Sequence, residues 1–457
     1  MGLLANESLV GLRSFTADEV LSPYVYVFYA AYITSLIFTP VMRSIATYYG
    51  IIDRPDGRRK MHSVPVAYLG GMAVFLGWMV GLAMSQLLPL HRLEEGLPRT
   101  VIVSFAIVAG ACIVVLLGLC DDVMHMTPGK KIFWQIFAAL CLLRAKIGLH
   151  SAWIFVAPIL QRTQQYLGVP SGNPDLLYDH WGVLVLSSLF VIFLVVLCCN
   201  ATNLMDGLDG LCGGVTAVIS GGFLFLAVNL AMFSGALNAN QDGLRVVLGL
   251  ALLGGVLGFV PYNFNPASIF MGDAGSMFLG FCCATMMILF ASDAGHFKWF
   301  LASMVMFSLP LLDTTLAFVR RYVNGRPLFS ADHYHFHHQL VARGFSVKQT
   351  VVISYGLSII FCLLGAAIVY TRTRYAVAIY LIVFGSIIVA AFKMGMVHER
   401  VTRSARAPID LGRRGERMAS HEAIDLAEQL LATKRDEPDV TVWGEKRNSS
   451  KEREGVL

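Results

Sequence analysis

The chain has 457 residues, of which 56% are hydrophobic and only 14% are charged, and its mean hydropathy is +0.64. Soluble domains carry about 25% charged residues, so this composition excludes a soluble globular enzyme and a nucleic-acid-binding protein and predicts a membrane protein. The net charge of +5 needs no nucleic-acid partner to explain it, because basic residues are common in the loops of membrane proteins.

Apolar residues are concentrated in stretches that are each long enough, or nearly so, to cross a bilayer as a helix, which takes about 20 residues. The stretches lack the strict alternation of a membrane β-barrel, whereas a helix hydrogen-bonds its own backbone inside lipid. The sequence therefore predicts an all-α polytopic bundle of about 11 transmembrane helices within residues 22–392. The predicted spans lie near 22–42, 67–90, 100–119, 131–149, 183–199, 211–233, 244–260, 276–292, 298–318, 349–370 and 375–392.

Lys and Arg residues set the predicted orientation, because acidic residues contribute little to the positive-inside bias. An odd number of spans places the termini on opposite sides, and one side then holds 25 of the 35 Lys and Arg residues, which predicts that this side is cytoplasmic. Residues 1–21 are then an extracytoplasmic segment. Residues 393–457 are a charged cytoplasmic tail, predicted to be largely disordered because it mixes charges with few aromatic residues.

Nearly all of the unusual polar clusters fall on the predicted cytoplasmic side. Converging loops on one face predict a site at the cytoplasmic boundary of the membrane. A transporter would more often place ionisable groups near the midplane, on broken helices. The loops are 53–71, 118–135, 200–214, 262–280 and 320–344.

Five carboxylates belong to these loops. Asp121 and Asp122 end the third predicted span, Asp206 and Asp209 follow the fifth, and Asp273 precedes the eighth. Oxygen ligands of this kind suit Mg²⁺, which is usually held by one or two carboxylates together with substrate phosphates. The alternative for an adjacent Asp pair at a helix end is a solvated cap. Glycines flank the later carboxylates (DGLDG, MGDAGS), and they either let the backbone approach a phosphate or allow close helix packing.

Histidines and lysines form the remaining polar groups. Four histidines, at positions 333, 335, 337 and 338, lie within six residues. A structural zinc site is one reading of this block, but it holds no cysteine, and the arginines of the same loop favour recognition of a sugar or a diphosphate. Lys60, Lys130 and Lys131 either contact substrate or anchor the protein at the membrane surface. Asp313, inside the ninth predicted span, either pairs with a basic group or orients a ligand.

Six motifs follow one another along the chain: RRKMHSVPVAYLGG, GLCDDVMHMTPGKK, NATNLMDGLDGLCGG, NFNPASIFMGDAGSMFLGF, PLLDTTLAFVRR and FSADHYHFHHQL. In this order they resemble the polyprenyl-phosphate N-acetylhexosamine-1-phosphate transferases, and the resemblance extends over residues 20–392. The resemblance implies a bundle in the bacterial inner membrane that transfers a sugar 1-phosphate from a UDP-N-acetylhexosamine to undecaprenyl phosphate and releases UMP. It also implies Mg²⁺ (or Mn²⁺) as the cofactor. The form ADxxHxHHxL is closer to the branch that uses UDP-GlcNAc than to the branch that uses UDP-MurNAc-pentapeptide.

The resemblance also implies roles for individual residues. Asp273 would ligate the metal, and Asp121 with Asp122 would serve the metal and the lipid phosphate, Asp121 being the family's proposed base. The lysine of the DD loop matches Lys130 or Lys131, and the spacing leaves both open. The implied substrate contacts are Lys60, Asn203, Asp206, Asp209, Asn263 and Phe270 for the nucleotide, with Phe270 stacking on uracil, and His335, His337 and His338 for the sugar.

The expected function is therefore the initiating step of a lipid-linked cell-envelope glycan, such as an O-antigen of lipopolysaccharide or a teichoic acid. The expected partners are a UDP-N-acetylhexosamine, undecaprenyl phosphate and membrane lipid, while a homodimer is left open. Three alternatives remain: the UDP-MurNAc-pentapeptide phosphotransferase of peptidoglycan synthesis, a transporter of anionic nucleotide-linked substrates, and a non-enzymatic membrane scaffold.

Overall fold

The computed structural model describes residues 16–53, 65–87, 101, 103–167, 180–234, 239–291, 297–325, 327 and 335–393. Within these ranges the chain is helical apart from loops and one short antiparallel pair of strands. The helices are α1 (Ala17–Leu21), α2 (Val25–Tyr49), α3 (Gly70–Leu87), α4 (Phe105–Met124), α5 (Pro128–Arg144), α6 (Trp153–Leu167), α7 (Trp181–Met205), α8 (Leu211–Ser234), α9 (Ala239–Asn263), α10 (Gly272–Phe290), α11 (Phe297–Met306), α12 (Ser308–Val323), α13 (Phe336–Ala342), α14 (Val347–Val369) and α15 (Thr373–Lys393), with strands β1 (Ile52–Asp53) and β2 (Val66–Ala67).

The all-α membrane architecture is confirmed, but the count of about 11 spans is not. Helices are present at each of the eleven predicted stretches, and among the described residues seven are long and apolar enough to cross a bilayer. An eighth span results if α11 and α12, which are bent by 73° at their junction, count as one. The remaining stretches are shorter: α5 has 17 residues and carries two lysines in its first turn, and the apolar parts of α3 and α15 are also below span length. The chain is a multi-pass membrane protein.

All of the described residues, which lie between 16 and 393, fall in one compact unit, while the domain boundaries at 21 and 392 stay predictions. Most of the N-terminal segment and nearly all of the tail predicted at 393–457 lie outside the described residues. Helix α6 was not expected, because its sequence interrupts apolar residues with Pro158 and several polar side chains.

Helix α10 lies at the centre of the bundle, with 94% of its apolar window buried. It packs mainly against α4 and α7. Small residues allow these approaches: Gly118 lies against Ala274, and Gly110 lies against Phe281. Since the higher-numbered residue of α4 meets the lower-numbered residue of α10, the two helices are antiparallel. The end of α4 therefore meets the start of α10, which brings the DD motif to the MGDAGS motif.

Helix α7 is antiparallel to α10 in the same way. Gly280 of α10 lies against the backbone of Cys198, whereas Asn203 reaches Asp273 at the start of α10. Helix α5 runs parallel to α10: Lys131 contacts Asp273 near the start of both helices, and Gln135, one turn further along α5, contacts Met277, one turn further along α10. Three polar helix ends thus meet at one end of α10.

The opposite end of α10 is fixed by a buried arginine. Arg245 on α9 donates from Nε and Nη2 to the carbonyl oxygen of Leu289, at 3.1 and 2.7 Å, and pairs with Asp242 at 2.6 Å. The last carbonyl groups of a helix have no partner within that helix, so a buried cation there satisfies both hydrogen bonding and the helix dipole.

Candidate active site

Lys131 lies between two carboxylates at the end of the bundle where α4 ends and α10 begins. Its Nζ forms an ion pair with Asp121 Oδ2 and a second one, at 3.0 Å, with Asp273 Oδ2. The Asp121 carboxylate also accepts a hydrogen bond from Met126 N at 2.6 Å, so the turn after α4 fixes this side chain. One cation therefore bridges acidic residues from two separate motifs.

Asp122 has different partners from Asp121. Its Oδ1 and Oδ2 accept hydrogen bonds from the backbone amides of Asp273 and Ala274, at 2.8 and 3.2 Å. These amides belong to the first turn of α10, whose N–H groups have no partner within the helix. Gly272 precedes them with φ of +76°, and a Cβ there would lie 2.8 Å from Asp122 Oδ2. Asp122 thus caps α10 from a neighbouring helix and fixes Asp273.

The end of α7 contributes Asn203 and Asp206. Asn203 Nδ2 donates to Asp273 Oδ1 at 2.8 Å and to Ser276 Oγ at 3.0 Å. Burial, followed by the negative charges of Asp273 and Asp122, raises the pKa of Asp206 well above its usual value. Asp206 therefore lies within electrostatic reach of the carboxylates at the start of α10.

Asp209 and Asn263 join the loop after α7 to the loop before α10. Asp209 Oδ2 accepts a hydrogen bond from Ala267 N at 3.0 Å. Asn263, which is 3% exposed, accepts from Gly210 N and donates to the carbonyl of Ile269, both at 3.0 Å. Both side chains were expected to line a nucleotide pocket. In the structure they hold the backbone of the loops that would form its wall.

Phe270 lies on the segment that follows this junction. Its amide donates to the carbonyl of Ala67 at 2.8 Å, and its ring centroid is 6.0 Å from that of Tyr68. The Tyr68 hydroxyl is hydrogen-bonded to Asp53. Tyr68 was missed at the sequence level, where the only signal was one polar aromatic in the string AYLGG. The motif around β2 is therefore placed beside the expected uracil-stacking residue.

The histidine segment, residues 335–338, reaches the loop that contains Asp206. His337 is 2% exposed, and its burial lowers the pKa to about 3, so the ring is neutral. Its Nε2 has no hydrogen-bond partner among the described residues, and the ring lies so close to Gly207 that a Cβ there would collide with it. His338 is more exposed than His337, and their ring centroids are 4.3 Å apart. His335 is hydrogen-bonded to Asp313.

The two adjacent lysines in the first turn of α5 differ in exposure and in contacts. The side chain of Lys130 is exposed, whereas Lys131 is half-buried and contacts both carboxylates. The structure thus places Lys131, and not Lys130, among the acidic residues. Lys60 lies outside the described residues.

The donors at the start of α10 fit a divalent cation that is completed by substrate. Within the described ranges, no three His, Cys, Asp or Glu side chains converge as a self-contained metal site. However, Asp121 and Asp273 both contact the single cation of Lys131. Mg²⁺ is commonly held by one or two carboxylates and completes its shell with waters and substrate phosphates. Two converging carboxylates therefore suffice on the protein side.

Comparison with known proteins identifies the region that contains this site. A sequence model described as glycosyl transferase family 4 matches residues 104–291, which run from α4 to the end of α10. The match therefore includes the DD, NATNLMDGLDG and MGDAGS motifs.

Relatives extend the similarity over most of the chain. The chain is 30% identical over 387 residues to a probable undecaprenyl-phosphate N-acetylglucosaminyl 1-phosphate transferase of Bacillus subtilis, and the alignment covers 84% of this chain and 95% of the relative. It is 32% identical over 381 residues to a decaprenyl-phosphate N-acetylglucosaminephosphotransferase of Mycobacterium tuberculosis, with coverage of 79% and 85%. A phospho-N-acetylmuramoyl-pentapeptide-transferase of Bacillus cytotoxicus is 26% identical over 347 residues, with coverage of 72% and 92%.

Proposed function

The chain belongs to glycosyl transferase family 4, and we propose that it transfers GlcNAc-1-phosphate from UDP-GlcNAc to undecaprenyl phosphate and releases UMP. The family match and the relatives confirm the family resemblance carried by the six motifs. The transfer would start a lipid-linked glycan of the cell envelope. The single observation that best supports it is the cluster in which Lys131 joins Asp121 and Asp273 at the end of the bundle where α4 ends and α10 begins.

The cluster suits phosphoryl transfer because this reaction depends mainly on positioning and on neutralising the charge of the phosphate oxygens. Lys131 supplies a fixed positive charge, and Asn203 holds the Asp273 carboxylate from its other oxygen. The acceptor is already an anion, since a phosphate monoester loses its last proton at a pH of about 6. Asp121 would therefore act as a base only for that last proton, and positioning is the larger part of the catalysis.

We propose Mg²⁺, or Mn²⁺, as the cofactor, held by Asp273 and Asp121. When bound, the metal would neutralise charge on the diphosphate of the donor. Asp122 contributes through its two hydrogen bonds to the amides of α10, which hold Asp273 in place. The loop junction made by Asp209 and Asn263 would form one wall of the nucleotide pocket, with Phe270 and Tyr68 beside it.

The direct test is transfer of radiolabel to lipid. Purified protein is incubated with radiolabelled UDP-GlcNAc, undecaprenyl phosphate and Mg²⁺, and the lipid fraction is extracted and counted. Radiolabel in the lipid with release of UMP supports the proposal. A preference for UDP-MurNAc-pentapeptide in competition would move the protein to the other branch, which the Bacillus cytotoxicus relative represents. Uptake of intact nucleotide sugar into vesicles without transfer would indicate a transporter.

The active site is proposed to face the cytoplasm at the inner membrane, and cysteine labelling tests this orientation. After replacement of the nine native cysteines, Thr127→Cys and Asn324→Cys should resist a membrane-impermeant thiol reagent in spheroplasts and react after lysis. Thr373→Cys, at the exposed start of α15 just beyond the C-terminal end of α14, is the matched control and should react from outside. The reverse pattern would overturn the orientation.

The histidines are expected to act on the donor rather than on the lipid. Replacing His337 and His338 with Ala should raise KM for UDP-GlcNAc about tenfold or more while KM for undecaprenyl phosphate changes little, because loss of a buried hydrogen bond costs about 1–3 kcal/mol. His338→Ala alone keeps the packing of His337 on Gly207 and separates binding from folding. Unchanged donor KM together with zinc bound to the wild-type protein would instead identify a metal site.

A further inference from the structure

Asp313 is a buried carboxylate in α12 that lies outside the Lys131 cluster. It is 6% exposed, and both of its oxygens have partners on the histidine segment. Oδ2 lies 3.0 Å from His335 Nδ1, and Oδ1 accepts a hydrogen bond from Phe336 N at 2.8 Å. The sequence left a basic group and a ligand open as partners of this acid, and in the structure the partner is an imidazole.

The two bonds have different consequences. Phe336 is the first residue of α13, so the bond to its amide satisfies an N–H group that the helix itself leaves unpaired. The bond to Nδ1 fixes the ring of His335 and the tautomer, because an ionised carboxylate accepts the Nδ1 proton and leaves Nε2 to face other groups. A single side chain therefore sets both the start of the helix and the direction of the imidazole.

Apolar packing and a close approach complete the connection. Phe336 packs against Leu316, one turn after Asp313 in α12. On the other side of the segment, His337 abuts Gly207, next to Asp206. The histidine segment is consequently held between α12 and the loop after α7.

We infer that Asp313 is a positioning residue for donor binding: it holds His335 and the start of α13 so that the histidine segment closes over the loop at residues 206–209. This inference rests on the proposed function, in which the histidines contact the sugar diphosphate. Asp313 acts only through His335 and Phe336 and does not itself touch substrate. Asp313 and His335 should then behave as one unit in kinetics.

A double-mutant cycle tests this dependence. Asp313→Asn keeps the size of the side chain and can still accept from Phe336 N, but it removes the charge that holds the Nδ1 proton. Asp313→Asn and His335→Gln should each lower kcat/KM for UDP-GlcNAc by about tenfold to a hundredfold, with KM for undecaprenyl phosphate unchanged. The kcat/KM of the double variant should lie within about threefold of the kcat/KM of the less active single variant, because the effects of substitutions at contacting residues do not add.

Thr314→Val is the matched control, since Thr314 is also buried in α12 and its hydroxyl has no hydrogen-bond partner among the described residues. Its kinetic constants should equal those of the wild type. Additive losses in the double variant would overturn the inference, as would equal increases in both KM values. If Asp313→Asn fails to fold, Asp313→Glu replaces it in the same cycle and should retain more donor affinity than a neutral side chain.

A second measurement separates this inference from the proposed function. The thermal midpoints of the four proteins in detergent report the Asp313–His335 pair without any turnover. Wild-type protein that transfers no radiolabel would defeat the proposed function. In that case non-additive midpoints still support the positioning contact, and additive midpoints reject it.

Discussion

Asp273→Asn is expected to lower kcat at least about a hundredfold, because removal of a group that stabilises charge in the transition state costs about 2.7–4 kcal/mol. The substitution keeps the shape of the side chain but removes the negative charge that faces Lys131 and Asn203. It also removes one of the two carboxylates proposed to hold Mg²⁺. Activity should be lost in EDTA and restored by excess Mg²⁺ in the wild type, whereas excess Mg²⁺ should not rescue the variant.

Asp18→Asn is the matched control for this change, because Asp18 is an exposed acid in α1. Its kcat should equal that of the wild type. Initial rates of lipid labelling at saturating UDP-GlcNAc provide the measurement, and a detergent melting curve checks that Asp273→Asn is folded. Full activity in EDTA, or a variant within tenfold of the wild type, would contradict the metal assignment.

The helical fold was largely predictable from apolar stretches, but the number of spans was not. Apolar residues predominate from Phe297 to Phe318 and no polar residue marks an interruption at 306–308 other than Ser308, whereas the chain bends by 73° between Met306 and Ser308. A bend leaves the apolar composition of a stretch unchanged, so hydropathy does not reveal it. Helix α5 was counted as a span because its second half is apolar, although it has 17 residues and carries Lys130 and Lys131 in its first turn.

The gathering of the motifs was predictable, but the direction of each side chain was not. An orientation argument places the acids of separate loops on one face, and the structure does bring Asp121, Asp206 and Asp273 together at one bundle end. The sequence does not show that Asp122 turns toward backbone amides while Asp121 turns toward Lys131. That difference depends on the close packing of α4 on α10 and on the positive φ at Gly272.

The partner of Asp313 was equally hidden. Asp313 and His335 are 22 positions apart, so no helix or strand repeat in the sequence predicts that they meet. The sequence of the loop between them does not fix their separation either. The same holds for Tyr68, whose importance depends on a bridge between Ala67 and Ile269 that joins distant parts of the chain. Tertiary contacts between loops thus carry the information that local patterns lack.

The two adjacent lysines should respond very differently to the same substitution. Lys131→Met is expected to lower kcat about a hundredfold, because it leaves the Asp121 and Asp273 carboxylates without the cation they share and removes a positive charge from the proposed phosphate-binding site. Lys130→Met should leave kcat unchanged, since that side chain is exposed at the start of α5.

Lys131→Arg separates charge from geometry. It keeps the positive charge but replaces a compact ammonium with a planar guanidinium, so it should recover part of the activity that Met loses. Initial rates of lipid labelling, measured over a range of Mg²⁺ concentrations, provide the comparison. Equal losses for Lys130→Met and Lys131→Met would mean that both lysines serve only to anchor the bundle at the membrane surface. A large loss confined to position 131 would instead tie the catalytic charge to the one lysine that contacts both carboxylates.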